Sequence, residues 1–250
     1  MKIEAYLQRI NYTGPLDPTA ETLRALHQAH LLAVPFENLD IHLGRPIVPD
    51  EAAFYHKIVE QRRGGFCYEL NGLFAWLLRQ LGFDVTLLSA RVANGNGTFG
   101  PEFDHLTLLV QLEKRWLADV GFGDCFREPL RLDEPGEQVQ SLGAYRLTTE
   151  GTEWVLWELS GELGWQPQYQ FTLQPRQLTD FAEMCRIQQT APESHFTRQR
   201  ICSIATPAGR VSLSDQRLII TSNGRREERA LVDEVEVQTA LADWFGVRLD

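Results

Sequence analysis

The sequence predicts an α+β fold in which helices, strands and a mixed segment follow one another along the chain. Three observations predict it. Up to about residue 85 the apolar residues recur at helical spacing, and from about 86 to 175 short β-rich runs are separated by turn residues. After about 190, three strand-like runs lead into one final helix. With 250 residues, 43% of them hydrophobic and 23% charged, the chain is too apolar for disorder and long enough for one large domain or a few small ones.

The helical stretch divides into three elements. Asp17-Pro18 reads as an N-cap followed by proline at the first helical position, and Leu23, Leu26 and His30 then recur at helical spacing until Pro35 stops the run. Pro49-Asp50-Glu51 opens a second helix towards Arg63, ended by Gly64-Gly65. The third is the clearest: Leu70, Leu73, Phe74, Leu77, Leu78 and Leu81 line one face, and Gly82 terminates it. Strands are expected at 85–88, 105–112, 115–120, 144–148, 153–159 and 168–173, where β-branched and aromatic residues gather. Asn94-Gly95-Asn96-Gly97 reads as a tight turn or a mobile tip. A short helix is expected at 176–190, then strands at 210–213, 216–222 and 227–231, and a helix at 234–245 ended by Gly246. There is no internal repeat, so one compact unit with helical, β and mixed subregions is the expectation.

Composition excludes several functions. Lys and Arg number 24 against 34 Asp and Glu, a formal net charge of −10, which argues against non-specific nucleic-acid binding because phosphate contacts need a basic face. A small phosphorylated ligand needs only a local cluster of donors and stays open. No apolar run reaches the roughly 18 residues of a membrane-spanning helix, and residues 1–9 are amphipathic without the apolar core of a signal peptide, so the cytoplasm is the expected compartment. Cys67, Cys125, Cys185 and Cys202 form no CxxC pair, so neither zinc nor a disulfide framework is signalled.

Cys67 stands apart from the other three. In Arg63-Gly64-Gly65-Phe66-Cys67-Tyr68-Glu69-Leu70-Asn71-Gly72 two glycines end one element and a periodic helix begins within a residue or two of the cysteine. Cys67 then falls in the first turn, where free N–H groups and the helix dipole favour a thiolate and lower the thiol pKa. A thiolate nucleophile wants an imidazole, and the imidazole a carboxylate to orient it. Along residues 103–112, His105, Thr107, Leu109 and Gln111 share a face. Glu113-Lys114 is turn-like, and Arg115-Trp116-Leu117-Ala118-Asp119-Val120 returns. If the hairpin has even register, Asp119 faces the side of His105, directly opposite or diagonal; a slip of one residue separates them. Taken singly, each of the three residues has a structural reading: an inert thiol, a satisfied strand histidine, an acid near a turn.

Other residues signal less. His27 and His30 lie three apart on a helix and could share a metal-binding face, but no third ligand is near and solvated positions are the expectation. His42, His56 and His195 lack evident partners. Trp154, Trp157 and Trp165 read as core or edge residues, and the pairs Arg62-Arg63 and Arg225-Arg226 as solvated. Gly121-Phe122-Gly123 is too brief for a phosphate loop by itself.

The segment 63–71, His105, and Asp119-Val120-Gly121-Phe122-Gly123 resemble, in order and spacing, the arylamine N-acetyltransferases. Pro35-Phe36-Glu37-Asn38-Leu39-Asp40 resembles another recurring segment of that family. Ala191-Pro192-Glu193-Ser194-His195-Phe196 resembles a third, in which serine is usual where Ala191 stands. The resemblance implies a helical bundle over 1–85 carrying the nucleophile, a β-barrel over 86–190 carrying His and Asp, and an α/β lid over 191–250, around a cysteine-protease-like Cys-His-Asp site. It implies acetyl transfer from acetyl-CoA, the acyl donor, to an aromatic amine, hydrazine or N-hydroxyarylamine through an acetyl-cysteine, without a metal, nucleic acid or membrane. Cys67 would attack, His105 would move the proton and Asp119 would orient His105. The Cys67 N–H and a backbone donor from the segment before His105 would form the oxyanion hole. Phe36, Phe66, Phe103, Phe122 and Phe196 would surround the acceptor, in a water-poor pocket that spares the acyl-enzyme from hydrolysis, and Gly123 in its turn would pass near coenzyme A. Two further readings use the same nucleophile: an amide synthase acting on an aromatic-amine polyketide thioester, and a cysteine hydrolase or transglutaminase-like enzyme.

Overall fold

A computed structural model describes residues 1–95 and 97–249; Asn96, in the glycine-asparagine loop, lies outside the described residues. The helical stretch holds Ile3–Arg9, Ala20–Ala33, Leu39–His42, Glu51–Tyr55 and Cys67–Gln80. The second of these starts later than Asp17-Pro18 suggested. Thr19 is its N-cap, its side chain accepting from Thr22 N–H, because a threonine hydroxyl beside the free amides satisfies a donor that proline cannot present. The helix begun at Glu51 widens into a π-helical turn over His56–Glu60 and stops at Gln61, so it does not reach Arg63.

Cys67–Gln80 is buried along nearly its whole length, with Leu70, Leu73, Phe74, Leu77 and Leu78 at 0% exposure. Its core joins Leu23 and Leu26 of the preceding helix to Leu106, Leu108 and Val110 of the following sheet. Gly82, at φ +89, turns the chain out of the helix in a conformation that side chains resist.

The sheet that follows has eight strands in the order Leu130–Arg131, Arg115–Ala118, His105–Gln111, Asp84–Val92, Trp165–Thr172, Glu153–Leu159, Gly143–Glu150 and Gln138–Gln140. Its two end strands are sewn together by side chains. Gln138 receives Arg131 N–H at 2.8 Å and donates to Arg131 O at 2.9 Å, and Gln140 bonds the backbone of Arg127 and Glu128 in the same way. Two glutamine amides therefore stand in for ladder bonds and close the barrel. The two end strands were not foreseen, since two or three polar residues give no periodic signal.

The second sheet has the order Phe36–Glu37, Ile201–Thr206, Gly209–Ser214, Arg217–Ser222 and Arg225–Ala230. The pair Phe36–Glu37, from the helical stretch, is hydrogen-bonded to Ile201–Thr206, and so ties the start of the chain to its end. One face of this sheet, with Cys202, Ile204, Val211 and Leu213, packs under Val237 and Leu241 of the helix Glu234–Phe245. That helix ends at Gly246 in the left-handed conformation, as the sequence suggested. The helical segment foreseen at 176–190 is a 3₁₀ turn, Leu178–Phe181, continued by the helix Ala182–Thr190. No helix among the described residues is long and apolar enough to cross a membrane.

Candidate active site

Cys67 is the first residue of its helix. Phe66 at the N-cap has no side-chain acceptor to offer, and Glu69 reaches back instead, its Oε2 accepting Phe66 N–H at 3.1 Å. Glu69 is held by Lys57, whose Nζ lies 2.9 Å from Oε1. Lys57 also pairs with Asp40 at 2.8 Å, and Arg63 donates to Glu37 and Asp40 at 3.0 and 3.1 Å. This buried network explains why Arg63, expected in solvent, is only 3% exposed: the two carboxylates of residues 37 and 40 balance its charge. Burial pushes Glu69 up to about 7 against the pull of Lys57.

His105 opens its strand and Asp119 follows the end of the next one. Gln111 pairs with Arg115, leaving a three-residue loop, Leu112 to Lys114, and an even register. A two-residue loop at Glu113-Lys114 alone would have paired 112 with 115 and turned Asp119 away. Asp119 stands diagonal to His105, and His105 Nε2 meets Asp119 Oδ2 at 2.6 Å. Both are buried, at 2% exposure each. Burial acts to raise the Asp119 carboxyl, but the charge of His105 and hydrogen bonds from His105, Asn71 and Gly121 outweigh it and hold the group below its ordinary value.

Cys67 and His105 line one cleft of about 890 Å³. The position at the helix start does not by itself leave the thiol ionised, as expected from the dipole. Burial pushes the Cys67 thiol well above its ordinary value, Cys185, Asp104 and Asp119 add to this, and the Leu106 N–H opposes it. Desolvation outweighs the dipole here, so the helix start does not suffice to ionise Cys67, and the imidazole of His105 lines the same cleft.

Two residues that carried no role in the sequence fix this pair. Asn71, one helical turn beyond Cys67, donates to Leu106 O at 2.6 Å and to Asp119 Oδ1 at 2.8 Å, and accepts Val120 N–H at 2.9 Å. Its i, i+4 spacing from Cys67 was the available signal. His27 is fully buried, neither solvated nor near a group of metal ligands among the described residues. Its Nδ1 lies 3.0 Å from Arg127 O, and its Nε2 lies 3.0 Å from Asp119 O and 3.1 Å from Asp119 N. A neutral ring protonated at Nδ1 donates to Arg127 O and accepts Asp119 N–H, whereas one protonated at Nε2 donates to Asp119 O. Burial pulls His27 down to about 4, which keeps the ring neutral. His30 is also buried and bonds Tyr6 through Nδ1 at 2.9 Å.

Phe36, Phe122, Gly123 and Phe196 line the cleft. Phe66 and Phe103 do not. Phe66 is buried behind Phe196, edge-on at 5.8 Å, and Phe103 packs edge-on to Phe181 at 5.2 Å. Phe66 precedes Cys67 on extended backbone and faces the other side, and Phe103, two residues before His105, has φ +65, which breaks the alternation that would have put it on the His105 side. Phe122 and Tyr169 enclose the His105 ring, at 5.1 and 5.3 Å. Asn38 bonds the backbone of Phe196, Gln199 and Ile201, which fixes the aromatic wall to the segment 35–40.

A family model described as N-acetyltransferase matches residues 19–250. The arylamine N-acetyltransferase of Escherichia coli is 37% identical over 249 residues, covering 98% of this chain and 88% of that protein. The chain belongs to the arylamine N-acetyltransferase family. A solved arylamine N-acetyltransferase of Mycobacterium marinum in complex with CoA superposes with a TM-score of 0.91 at 35% identity, over 98% of this chain and 93% of that one. Proansamycin X synthase of Amycolatopsis mediterranei is 34% identical over 96% of this chain and 95% of its own. As a member of this family the chain is an acyltransferase, and its helical stretch, barrel and C-terminal sheet follow the architecture of the solved members.

Proposed function

We propose that the protein transfers an acetyl group from acetyl-CoA to arylamines, arylhydrazines or N-hydroxyarylamines by a ping-pong route through acetyl-Cys67. The observation that carries this reading is the His105–Asp119 bond of 2.6 Å on the wall of the cleft that Cys67 also lines. Asp119 occupies Nε2, so Nδ1 is the nitrogen left to take the thiol proton. The Cys67 sulfur attacks the acetyl carbonyl, the bond to the coenzyme A sulfur breaks, and His105 returns the proton to that leaving thiolate. The amine then attacks the acetyl-cysteine, His105 removes its proton, and the amide departs as the Cys67 sulfur is released. The Cys67 N–H, an orphan donor of the helix start, supports the oxyanion together with a backbone donor before His105. Phe36, Phe122 and Phe196 supply the apolar surface an aromatic acceptor needs, with Gly123 beside the donor. Phe66 and Phe103 act behind that surface.

A second reading is supported by the likeness to proansamycin X synthase: amide closure of an aromatic-amine polyketide thioester by the same nucleophile. The test is acetyl-CoA given first alone and then with an aniline, following free coenzyme A and intact mass. One equivalent of coenzyme A with one acetyl group on Cys67, discharged by the amine, is expected. Steady coenzyme A release without amine would make the protein a hydrolase, and no acetylation would favour the larger thioester.

A further inference from the structure

The C-terminal sheet has a second face. Its apolar side is covered by the helix Glu234–Phe245, while Ser203, Arg210 and Ser212, on the opposite side by strand alternation, line the cleft. Ser203 pairs with Ser212 and Ala205 with Arg210, so these residues form one patch. Arg210 is 9% exposed. Its Nη1 donates to Ser203 Oγ at 2.9 Å, and Ser203 Oγ lies 2.6 Å from Ser212 Oγ. Its Nε is 2.8 Å from Asp124 Oδ1 but out of hydrogen-bonding alignment, and it has no hydrogen-bond partner among the described residues. The Asp124 side chain is 73% exposed, so solvent screens that ion pair.

Behind Arg210 sits a second guanidinium. Arg127, also 9% exposed, donates to Gly209 O at 2.7 Å, and burial followed by the positive charge of Arg210 lowers its pKa. Arg127 and Arg210 are two buried like charges, and the exposed carboxylate of Asp124 acts on both. A buried guanidinium paired only with an exposed, misaligned carboxylate leaves its donors poorly satisfied, and a better-placed anion would complete them.

We infer that Arg210, with the hydroxyls of Ser203 and Ser212, is an anion-binding subsite of the cleft, which takes either a phosphate of the acyl donor or a carboxylate of the amine acceptor. The guanidinium fork fits either anion through paired N–H donors. Asp124 competes for the same donors and is displaced when the ligand arrives. The inference rests on the proposed transfer reaction and adds to it the residue that selects charged substrates.

The test compares wild type, Arg210→Gln, Arg210→Lys and Asp124→Asn in four pairings. The donors are acetyl-CoA and S-acetyl-N-acetylcysteamine, which lacks phosphate; the acceptors are 4-aminobenzoate and aniline. In Arg210→Gln the ratio of the acetyl-CoA KM to that of the short thioester rises about 10- to 100-fold if the anion is phosphate. The ratio of 4-aminobenzoate to aniline rises instead if it is carboxylate. Arg210→Lys keeps most of the affinity, and Asp124→Asn lowers the KM of the anionic partner. Neither ratio moving, or all four KM values rising together, overturns the inference. Should Arg210→Gln fail to fold, Arg210→Lys and the opposite sign in Asp124→Asn still decide it. If wild type consumes neither donor, the transfer reading fails. Melting-temperature shifts given by coenzyme A and 4-aminobenzoate, compared between wild type and Asp124→Asn, then test the subsite alone.

Discussion

Asn71 Nδ2 lies 2.8 Å from Asp119 Oδ1, so the helix that begins with Cys67 also holds the carboxylate that bonds His105. The relation makes Cys67, His105 and Asp119 one mechanical unit, although the helix and the hairpin are separate elements. Asp119→Asn keeps size but loses charge and can present a donor to His105, which then adopts the wrong tautomer. Acetylation of Cys67, read as pre-steady-state coenzyme A release, is expected to fall about 10³- to 10⁴-fold. Glu113→Gln, in the exposed hairpin loop, changes little. Asn71→Ala removes three buried hydrogen bonds, to Leu106 O, Asp119 Oδ1 and Val120 N–H, and costs about 2–4 kcal/mol in urea unfolding, with a smaller rate loss than Asp119→Asn because the His105 bond survives. Equal rates for Asp119→Asn and wild type would assign orientation of His105 to another acid.

Thiol chemistry separates Cys67 from the other cysteines by its neighbour. All four are free and buried, and burial raises each of them. Only Cys67 shares a cleft with an imidazole bonded to a carboxylate. Iodoacetamide between pH 5 and 8 is therefore expected to label Cys67 first, and His105→Gln to abolish that preference, since an isolated buried thiol stays protonated. Peptide mapping that shows unchanged Cys67 selectivity in His105→Gln would mean that the helix start alone activates the thiol.

The pairing of His105 with Asp119 and the segregated helix–sheet order were legible because they rest on local periodicity and on parity along a hairpin. Even there, the decisive quantity was a single loop residue: Leu112 joins the turn, and only that makes the register even. Phe66 and Phe103 lie off the cleft because proximity in sequence to Cys67 or His105 does not set where a side chain points: Phe66 alternates away, and Phe103 leaves the strand conformation at φ +65. His27, Arg63 and the glutamines that close the barrel were invisible for another reason. The partners of His27 and Arg63 lie 23 to 100 residues away and those of the glutamines are backbone atoms of another strand or loop, and a polar residue reads as solvated until the fold brings such partners to it. The family resemblance covered the segment 35–40 without explaining it. The structure shows Glu37 and Asp40 answering Arg63 while Asn38 fixes the backbone of Phe196.

The pH dependence of stability tests whether His27 is neutral in the folded protein. Its folded value of about 4 lies below the ordinary 6.5, so the unfolded chain binds more protons between those limits. The His27 contribution is complete above pH 6.5 and is lost as pH falls towards 4, by up to about 3 kcal/mol. Glu69, raised from 4.5 to about 7, has the opposite sign: its folded form keeps the proton, and its contribution is lost as pH rises through that range. The two partly cancel in wild type, so the difference between wild type and His27→Gln is the quantity to follow. Urea midpoints measured from pH 4 to 8 should diverge above pH 6.5 and converge towards pH 4. A difference independent of pH would mean that His27 does not change protonation on unfolding.

Gly121 tests how closely the hairpin must approach the nucleophile. A Cβ built there would stand 2.9 Å from Cys67 Cα, 2.9 Å from Cys67 O and 2.7 Å from Asn71 Nδ2. None of these can withdraw: two are the backbone of a buried helix start, and the third is bonded to Asp119 and Leu106. Gly121→Ala is expected to cost about 1–3 kcal/mol of stability and to lower Cys67 acetylation by at least about tenfold, because a shift of tenths of an ångström moves the sulfur relative to His105. Gly123 differs. A Cβ there would meet Phe36 only at 3.8 Å, but the residue sits at φ +94, where a side chain is strained whatever the space. Gly123→Ala should therefore act through the backbone, costing about 1–2 kcal/mol without displacing Cys67. Stopped-flow acetylation and urea unfolding of the two variants distinguish these causes. Gly121→Ala acetylating at the wild-type rate would show that the nucleophile tolerates displacement and that the close approach serves packing alone.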